Sequence, residues 1–338
     1  MYIMRSVRSE DLNDLYELSG KVLFINLPHD KNIIKNKINK SIKSFSNPSK
    51  DLAENYYIFV LEDRTKKKVI GVSMIHAQHG TESEPHFYLS VGNENKYSST
   101  INTGFLHGTL KLGLDMNGPT EIGGLVLNPE YRGNKFKLGK QISFVRFLYI
   151  ALNKDQFKSQ IHSELMPPFD KNGKAPLWEA IGRRFMNMEY GEADVLSRSN
   201  KEFILSLFPS DNIYMTLLPI EARNAIGKVG EDTLPVKKML ESIGFHYINE
   251  VDPFDGGPHY RCKTDNVKPI KDLKTFSFKI KDLSGNETES FLLSPQGSNE
   301  FLAIMCKGKI DGSTFYLDEE FSKNIELNNI KEVSVIPF

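Results

Sequence analysis

The chain of 338 residues has two cysteines, Cys262 and Cys306, and a single tryptophan. Two cysteines cannot build a disulfide framework, so the expected setting is a reducing cytoplasm. Forty-three basic and 43 acidic side chains cancel to a formal net charge of +0. No global field therefore steers the protein to nucleic acid or to an anionic membrane, and neither is an expected partner. No apolar run reaches membrane-spanning length, and even Phe144 to Leu152 is broken by Arg146. The opening residues, Met1 to Glu10, lack the apolar core of a signal peptide. His76 and His79 stand three apart with no cysteine nearby, so no zinc site is expected there and no metal cofactor overall. The glycine fingerprint of dinucleotide sites is missing, and so is a Walker-type Gly-Lys-Ser/Thr.

What is present is an ordinary globular composition, 39% hydrophobic and 25% charged, on a chain long enough for more than one domain. The most informative stretch begins at Glu121. Ile122, Leu125, Val126 and Leu127 suit a buried strand, which Asn128-Pro129 ends because proline cannot extend a ladder. Leu138, Ile142, Val145 and Leu148 then follow helical spacing. Between them lie Arg132, Gly133, Asn134, Lys135, Lys137, Gly139 and Lys140. A strand, a basic glycine-containing turn and a helix start together gather unpaired N–H groups, a positive dipole end and cations. That combination suits a pyrophosphate.

Along the chain, Tyr2 to Arg8 alternates as a strand, and Ser9 is the expected N-cap of a helix carrying Leu12, Leu15 and Leu18. A second helix fits Ile33 to Phe45, and Tyr56–Glu62 and Val69–Ala77 read as a hairpin. Gly80 to Pro119 reads as irregular with short β-like pieces. A strand at Gln160 to Leu165 follows the helix of the basic turn. Strand, two helices, two strands, then strand, helix and strand resembles the GNAT acyltransferase skeleton. The expected class is thus α+β, a mixed, mostly antiparallel sheet flanked by helices. Leu177 to Phe185 and Met239 to Phe245 each read as a helix stopped by a glycine, Gly182 and Gly244, with His246 to Val251 as a final strand. Two such units imply an insertion or a second GNAT-like half at about 168–235 within a 1–265 domain. From 266 to 338, short alternating segments punctuated by Gly285, Gly297, Gly308 and Gly312 suggest a small barrel- or sandwich-like β domain.

These residues resemble the arginine N-succinyltransferase (arginine/ornithine succinyltransferase) family over essentially the whole chain. The motifs are Phe59 to Asp63, Glu121 with Leu125, Leu127, Pro129, Tyr131 and Arg132, and Pro176-x-Trp178-Glu179-x-x-Gly182-Arg183. Further ones are Ala193-Asp194-x-Leu196-Ser197, Ile213-Tyr214 with Leu217 to Pro219, Ile226-Gly227-x-Val229 and Phe254 to Pro258. The resemblance implies an acyl-CoA-dependent N-acyltransferase with succinyl-CoA as co-substrate and arginine or a similar small amine as acceptor. It puts succinyl-CoA on Leu125, with Val126, Leu127, Arg132, Gly133, Asn134, Lys135, Gly139 and Lys140 as further cofactor-binding candidates. Homo- or hetero-oligomers stay open.

Departures from the family pattern fall on pocket residues. Gly230 stands where the family carries its proton-donating histidine, and glycine transfers no proton. Ser90 and Met166 stand where the family has arginines, Lys96 aligns with a histidine, and Val22 to Ile25 replace a Gly-Gly-Leu-Thr loop. A diverged paralogue with another amine or acyl donor, or a non-catalytic CoA-binding or regulatory protein, is the alternative. Acylating an amine from a thioester needs a neutral amine, a donor for the carbonyl oxygen and a proton for the thiolate. Glu164, aligned with the family's strand glutamate, and Glu231, beside Gly230, are the catalytic candidates, with Tyr97 and His79 behind them. Asp255 and Glu121 are the candidates for a cationic substrate, although aspartate before Gly-Gly is also turn chemistry.

Overall fold

The computed structural model describes all residues except 22–26, 198–199, 298–299 and 323–329, so the departure at Val22 to Ile25 lies outside the described residues. In chain order the strands are β1 (Tyr2–Ser6), β2 (Tyr56–Asp63), β3 (Lys68–His76), β4 (His86–Ser98), β5 (Thr103–Asp115), β6 (Thr120–Leu127), β7 (Gln160–Glu164), β8 (Ile213–Tyr214), β9 (His246–Val251), β10 (Pro258–Lys263), β11 (Lys274–Lys281), β12 (Glu289–Pro295), β13 (Leu302–Asp311), β14 (Thr314–Asp318) and β15 (Glu332–Pro337). The first three helices are α1 (Leu12–Ser19), α2 (Lys31–Ser46) and α3 (Leu138–Leu152). The chain forms two compact units. Unit 1 holds Met1–Gln78, Thr120–Ser159 and Lys263–Phe338, and unit 2 holds His79–Pro119 and Gln160–Cys262.

In unit 1, β1, β2, β3 and β6 pair antiparallel in that order. β2 reads as an almost unbroken apolar run because both its faces are covered. Ile58 and Val60 point into a core with Leu15 and Leu18 of α1 and Ile34 and Ile38 of α2. The alternate residues Tyr57 and Phe59 meet Tyr149 of α3, at ring separations of 5.0 and 5.3 Å. The expected helices at 12–18 and 33–45 are both present, but Ser9 caps neither. It lies in a 3-10 turn where Asp11 accepts the Arg8 N–H at 2.7 Å and binds Arg5 through both oxygens at 2.8 Å. Asp11 precedes α1 but its side chain caps none of that helix's N–H groups, turning back instead to Arg8 and the buried Arg5 guanidinium.

The C-terminal strands close a five-stranded ring, β12-β15-β11-β14-β13 and back to β12, with β11–β14 the parallel pair. Phe291, Leu293, Ile304, Phe315, Leu317, Val333 and Val335 fill it, and Cys306 is buried among them as a free thiol. One ring strand, β13, also pairs with β1.

In unit 2 the strand order is β7-β10-β9-β4-β5-β8. Gly80 to Pro119, expected to be irregular, holds the long antiparallel hairpin of β4 and β5, paired from His86↔Asp115 to Ser98↔Thr103. Its base alternates and is buried, with Phe87, Leu89 and Leu110 packing on Leu177, Ile181, Ile204 and Phe208. The outer half is mostly exposed, its apolar Tyr97, Phe105 and Leu106 included, and this hides the strand period. Gly244 ends its helix as expected, at φ +111°, with Phe245 buried behind it. Gly182 does not stop a helix; it starts the short helix Gly182–Met186 (α5) after Pro176–Ala180 (α4). It is glycine because a Cβ there would overlap the indole of the buried Trp178. No helix among the described residues is long and apolar enough to cross a membrane.

Candidate functional site

Unit 1 carries the strand–turn–helix singled out in the sequence. Along β6 the buried and half-buried residues alternate, but the register to β3 slips by one residue, with Val72 opposite Val126 and Met74 opposite Gly123. The extra residue makes a β-bulge, which breaks the ladder and redirects backbone groups. Gly124 sits in it at φ +58°, and a Cβ there would overlap the Met74 side chain. Bulge and glycine therefore require one another.

After β6, Asn128 accepts the Glu130 N–H and Asn134 accepts that of Phe136, turning the chain twice. Gly133 and Lys137 are left-handed at φ +66° and +53°. Lys137 precedes α3 without a capping side chain. Its carbonyl accepts from Lys140 and Gln141, so the Leu138 and Gly139 N–H groups have no protein acceptor among the described residues. Arg132, Lys135 and Lys137 are exposed around them, while Lys140 lies over the rings of Phe144 and Phe338 at 4.7 and 4.4 Å. Burial and Lys137 lower the Lys140 pKa.

Arg146 anchors the other side of the bulge. It is buried inside α3, donating through Nη1 to the Gly123 carbonyl at 3.2 Å and through Nη2 to Ser143 Oγ at 2.7 Å. Burial pushes its pKa down to about 9, which leaves it charged at neutral pH. Leu125, Val126 and Leu127 follow the bulge on β6, and Glu121 precedes it, opposite His76. All the cofactor-binding candidates thus fall on one bulge–turn–helix segment, with Glu121 at its start.

Unit 2 holds the other candidates. Glu164 ends β7, its side chain one-third exposed, and is faced by three buried imidazoles, those of His86, His162 and His259. Burial drives His162 down to about 4; burial with His79 and His162 holds His86 well below its ordinary value. Both are neutral at pH 7. Burial favours the protonated Glu164, but the His162 contact and the rings of His259 and His86 outweigh it and hold the carboxyl well below the usual range. His79 stacks edge-on to His86 at 4.5 Å.

Asp255 is buried in its own turn. Its Oδ1 accepts the Gly257 N–H at 2.7 Å, and burial with Asp252 raises its carboxyl well above the usual range. Glu231 is exposed at the start of a 3-10 turn. Gly230 beside it donates its N–H to Met166 O at 2.9 Å, and a Cβ built on it would come within 2.9 Å of Pro167 O. Ser90 donates to Lys111 O, Lys96 pairs with Glu94, and Tyr97 is exposed and donates to Asn102. Sequence reasoning found Glu164 and missed His86, His162 and His259. Only His162-x-Glu164, two residues on one strand face, was a local cue.

The family model described as "Arginine N-succinyltransferase beta subunit" matches residues 2–269. The arginine N-succinyltransferase of Yersinia pseudotuberculosis serotype O:3 is 36% identical over 300 residues, covering 88% of this chain and 84% of that protein. Its counterpart from Yersinia enterocolitica is 34% identical over 321 residues, covering 94% and 92%. The fold is shared with arginine/ornithine succinyltransferase subunit AI from Pseudomonas aeruginosa, at a TM-score of 0.85 and 24% identity, covering 100% of this chain and 98% of that one. These matches cover most of the chain, which belongs to the arginine N-succinyltransferase family, a family of acyltransferases.

Proposed function

We propose that the protein transfers the succinyl group of succinyl-CoA to the α-amine of L-arginine, giving N2-succinylarginine and CoA. The observation that carries this reading, beside the family, is the β6 bulge followed by an uncapped helix start ringed with cations. The pyrophosphate would take the free N–H groups of Leu138 and Gly139, with Arg132, Lys135 and Lys137 as counter-charges. The pantetheine arm would run along the backbone at Gly124 to Leu127, where the bulge frees N–H groups to pair with it and to polarise the thioester carbonyl. A neutral amine then forms the new C–N bond, the C–S bond breaks, and the amine's proton goes to solvent or a carboxylate while the thiolate takes one up.

Glycine at position 230 leaves the proton step to a neighbour, and we assign it to the exposed Glu231 working through water, because Glu164 is engaged with the imidazoles. The test is thiol release from succinyl-CoA with L-arginine, run beside ornithine and acetyl-CoA. Release with succinyl-CoA and arginine, slowed in Glu231→Gln, is the expected result. A chain that binds CoA but acylates neither amine would contradict the reading.

A further inference from the structure

Three imidazoles and a carboxylate converge in unit 2 without hydrogen-bonding one another. His86 is the first residue of β4, His162 and Glu164 come from β7, and His259 from β10. Glu164 Oε1 lies 3.6 Å from His86 Nδ1, 3.6 Å from His162 Nε2 and 3.9 Å from His259 Nε2. The rings are 4.7 to 5.3 Å apart, and one donor atom from each of the four residues falls within a 4.8 Å sphere of mutual separation. His162 and His259 have no exposed surface and His86 has 2%. Yet His86 Nε2 and both ring nitrogens of His162 and of His259 have no protein hydrogen-bond partner.

Two explanations compete. A buried hydrogen-bonded network would bring nitrogen and oxygen to about 2.7–3.2 Å, and a buried nitrogen left unmet is destabilising. Two of these unmet nitrogens, His162 Nε2 and His259 Nε2, are the ones that face Glu164 Oε1, and packing alone rarely leaves such groups unpaired in a core. A divalent ion bound tetrahedrally at about 2.0–2.2 Å holds its donors about 3.3–3.6 Å apart. The observed 3.6–3.9 Å is close to that spacing and longer than a hydrogen bond.

We propose that His86, His162, His259 and Glu164 bind a divalent transition-metal ion of the Zn2+ class in a tetrahedral site that fastens β4, β7 and β10 together. Three imidazoles with one carboxylate suit zinc and its neighbours, whereas Mg2+ and Ca2+ prefer all-oxygen sets. Glu250 lies beside the cluster: its Oε2 is 3.7 Å from His259 Nδ1, beyond hydrogen-bond range, and accepts from Arg261 Nη2 at 3.2 Å. Glu164 is the one ligand with substantial exposure, which gives the ion its way in. The site joins segments far apart in sequence, so its role is structural, whatever the acyl donor.

The test strips the full chain with a chelator, equilibrates it with Zn2+ or Co2+, desalts it and counts metal by mass spectrometry. One ion per chain is expected, with the strong visible bands of tetrahedral Co2+ and a melting temperature that rises until one equivalent is added. His162→Leu, which fills the space with carbon, should lose the ion. Glu164→Gln, at the rim and nearly isosteric, keeps the fold testable and should weaken binding about 10–100-fold or more. His107→Ala, half-buried on β5 and not among the four clustered residues, should retain the full equivalent. An unmodified chain that retains no ion overturns the proposal, and so does retention unchanged in both His162→Leu and Glu164→Gln.

Discussion

The candidate cofactor segment of unit 1 draws every group from residues 121–140, whereas the imidazole cluster of unit 2 draws on residues 86, 162, 164 and 259. The first is made of backbone: a bulge, two left-handed residues and two N–H groups at a helix start, with exposed cations around them. The second is made of buried side chains held by three strands. The electrostatics differ accordingly. Burial raises the pKa of the unit 1 tyrosines Tyr56, Tyr57 and Tyr149, while in unit 2 it lowers those of His86 and His162. A backbone site tolerates side-chain change but not a change in chain geometry, and a side-chain site behaves the other way round.

The largest effect should come from the packing of unit 2. Trp178 is 1% exposed, stacks on Phe254 at 5.0 Å and donates from Nε1 to Met188 O. Trp178→Ala should cost about 3–5 kcal/mol in denaturant unfolding. A loss under 1 kcal/mol would show that the helical layer is not what stabilises this unit.

Next is the bulge. Gly124→Val puts a β-branched residue at φ +58° and into Met74, which should cost about 2–4 kcal/mol. It should also weaken CoA binding at least tenfold by calorimetry, while leaving metal retention unchanged. Equal damage to both sites would erase the distinction between them.

Tyr57→Phe comes third. The Tyr57 hydroxyl donates to Gln156 at 2.8 Å, so its loss should cost about 1 kcal/mol at pH 7. Burial raises its pKa to about 12. The unfolded phenol ionises near pH 10 and the folded one later, so the wild-type chain should lose stability as pH rises from about 10 to 12. That alkaline loss should shrink in the variant; an identical pH profile would contradict it.

The smallest effect is Lys135→Ala, an exposed counter-charge. CoA affinity should fall by no more than about fivefold, and the difference should fade in high salt.

Much of unit 1 was legible because its signals are local. The apolar runs of β2 and β3, the proline after β6 and the helical spacing of α3 each lie in one stretch of chain. Ser9 was misplaced as a cap because Arg5, in the preceding strand, recruits Asp11 to that corner. The β4–β5 hairpin was illegible since its outer half is exposed on both faces and carries no alternation to read. Gly182 reads as a helix stop until Trp178 is known to occupy the space beside it. The three histidines could not be grouped because only strand order brings residue 86 to residue 259. Gly230 was legible as a departure, but the nearby Pro167 carbonyl was not.

Backbone hydrogen–deuterium exchange with and without CoA tests the central claim most directly, because the cofactor is assigned to main-chain N–H groups. CoA should slow exchange at Leu138 and Gly139 and at Gly124 to Val126, and leave β4, β7 and β10 unchanged. Protection confined to unit 2, or no protection around the bulge and the α3 start at saturating CoA, would contradict it.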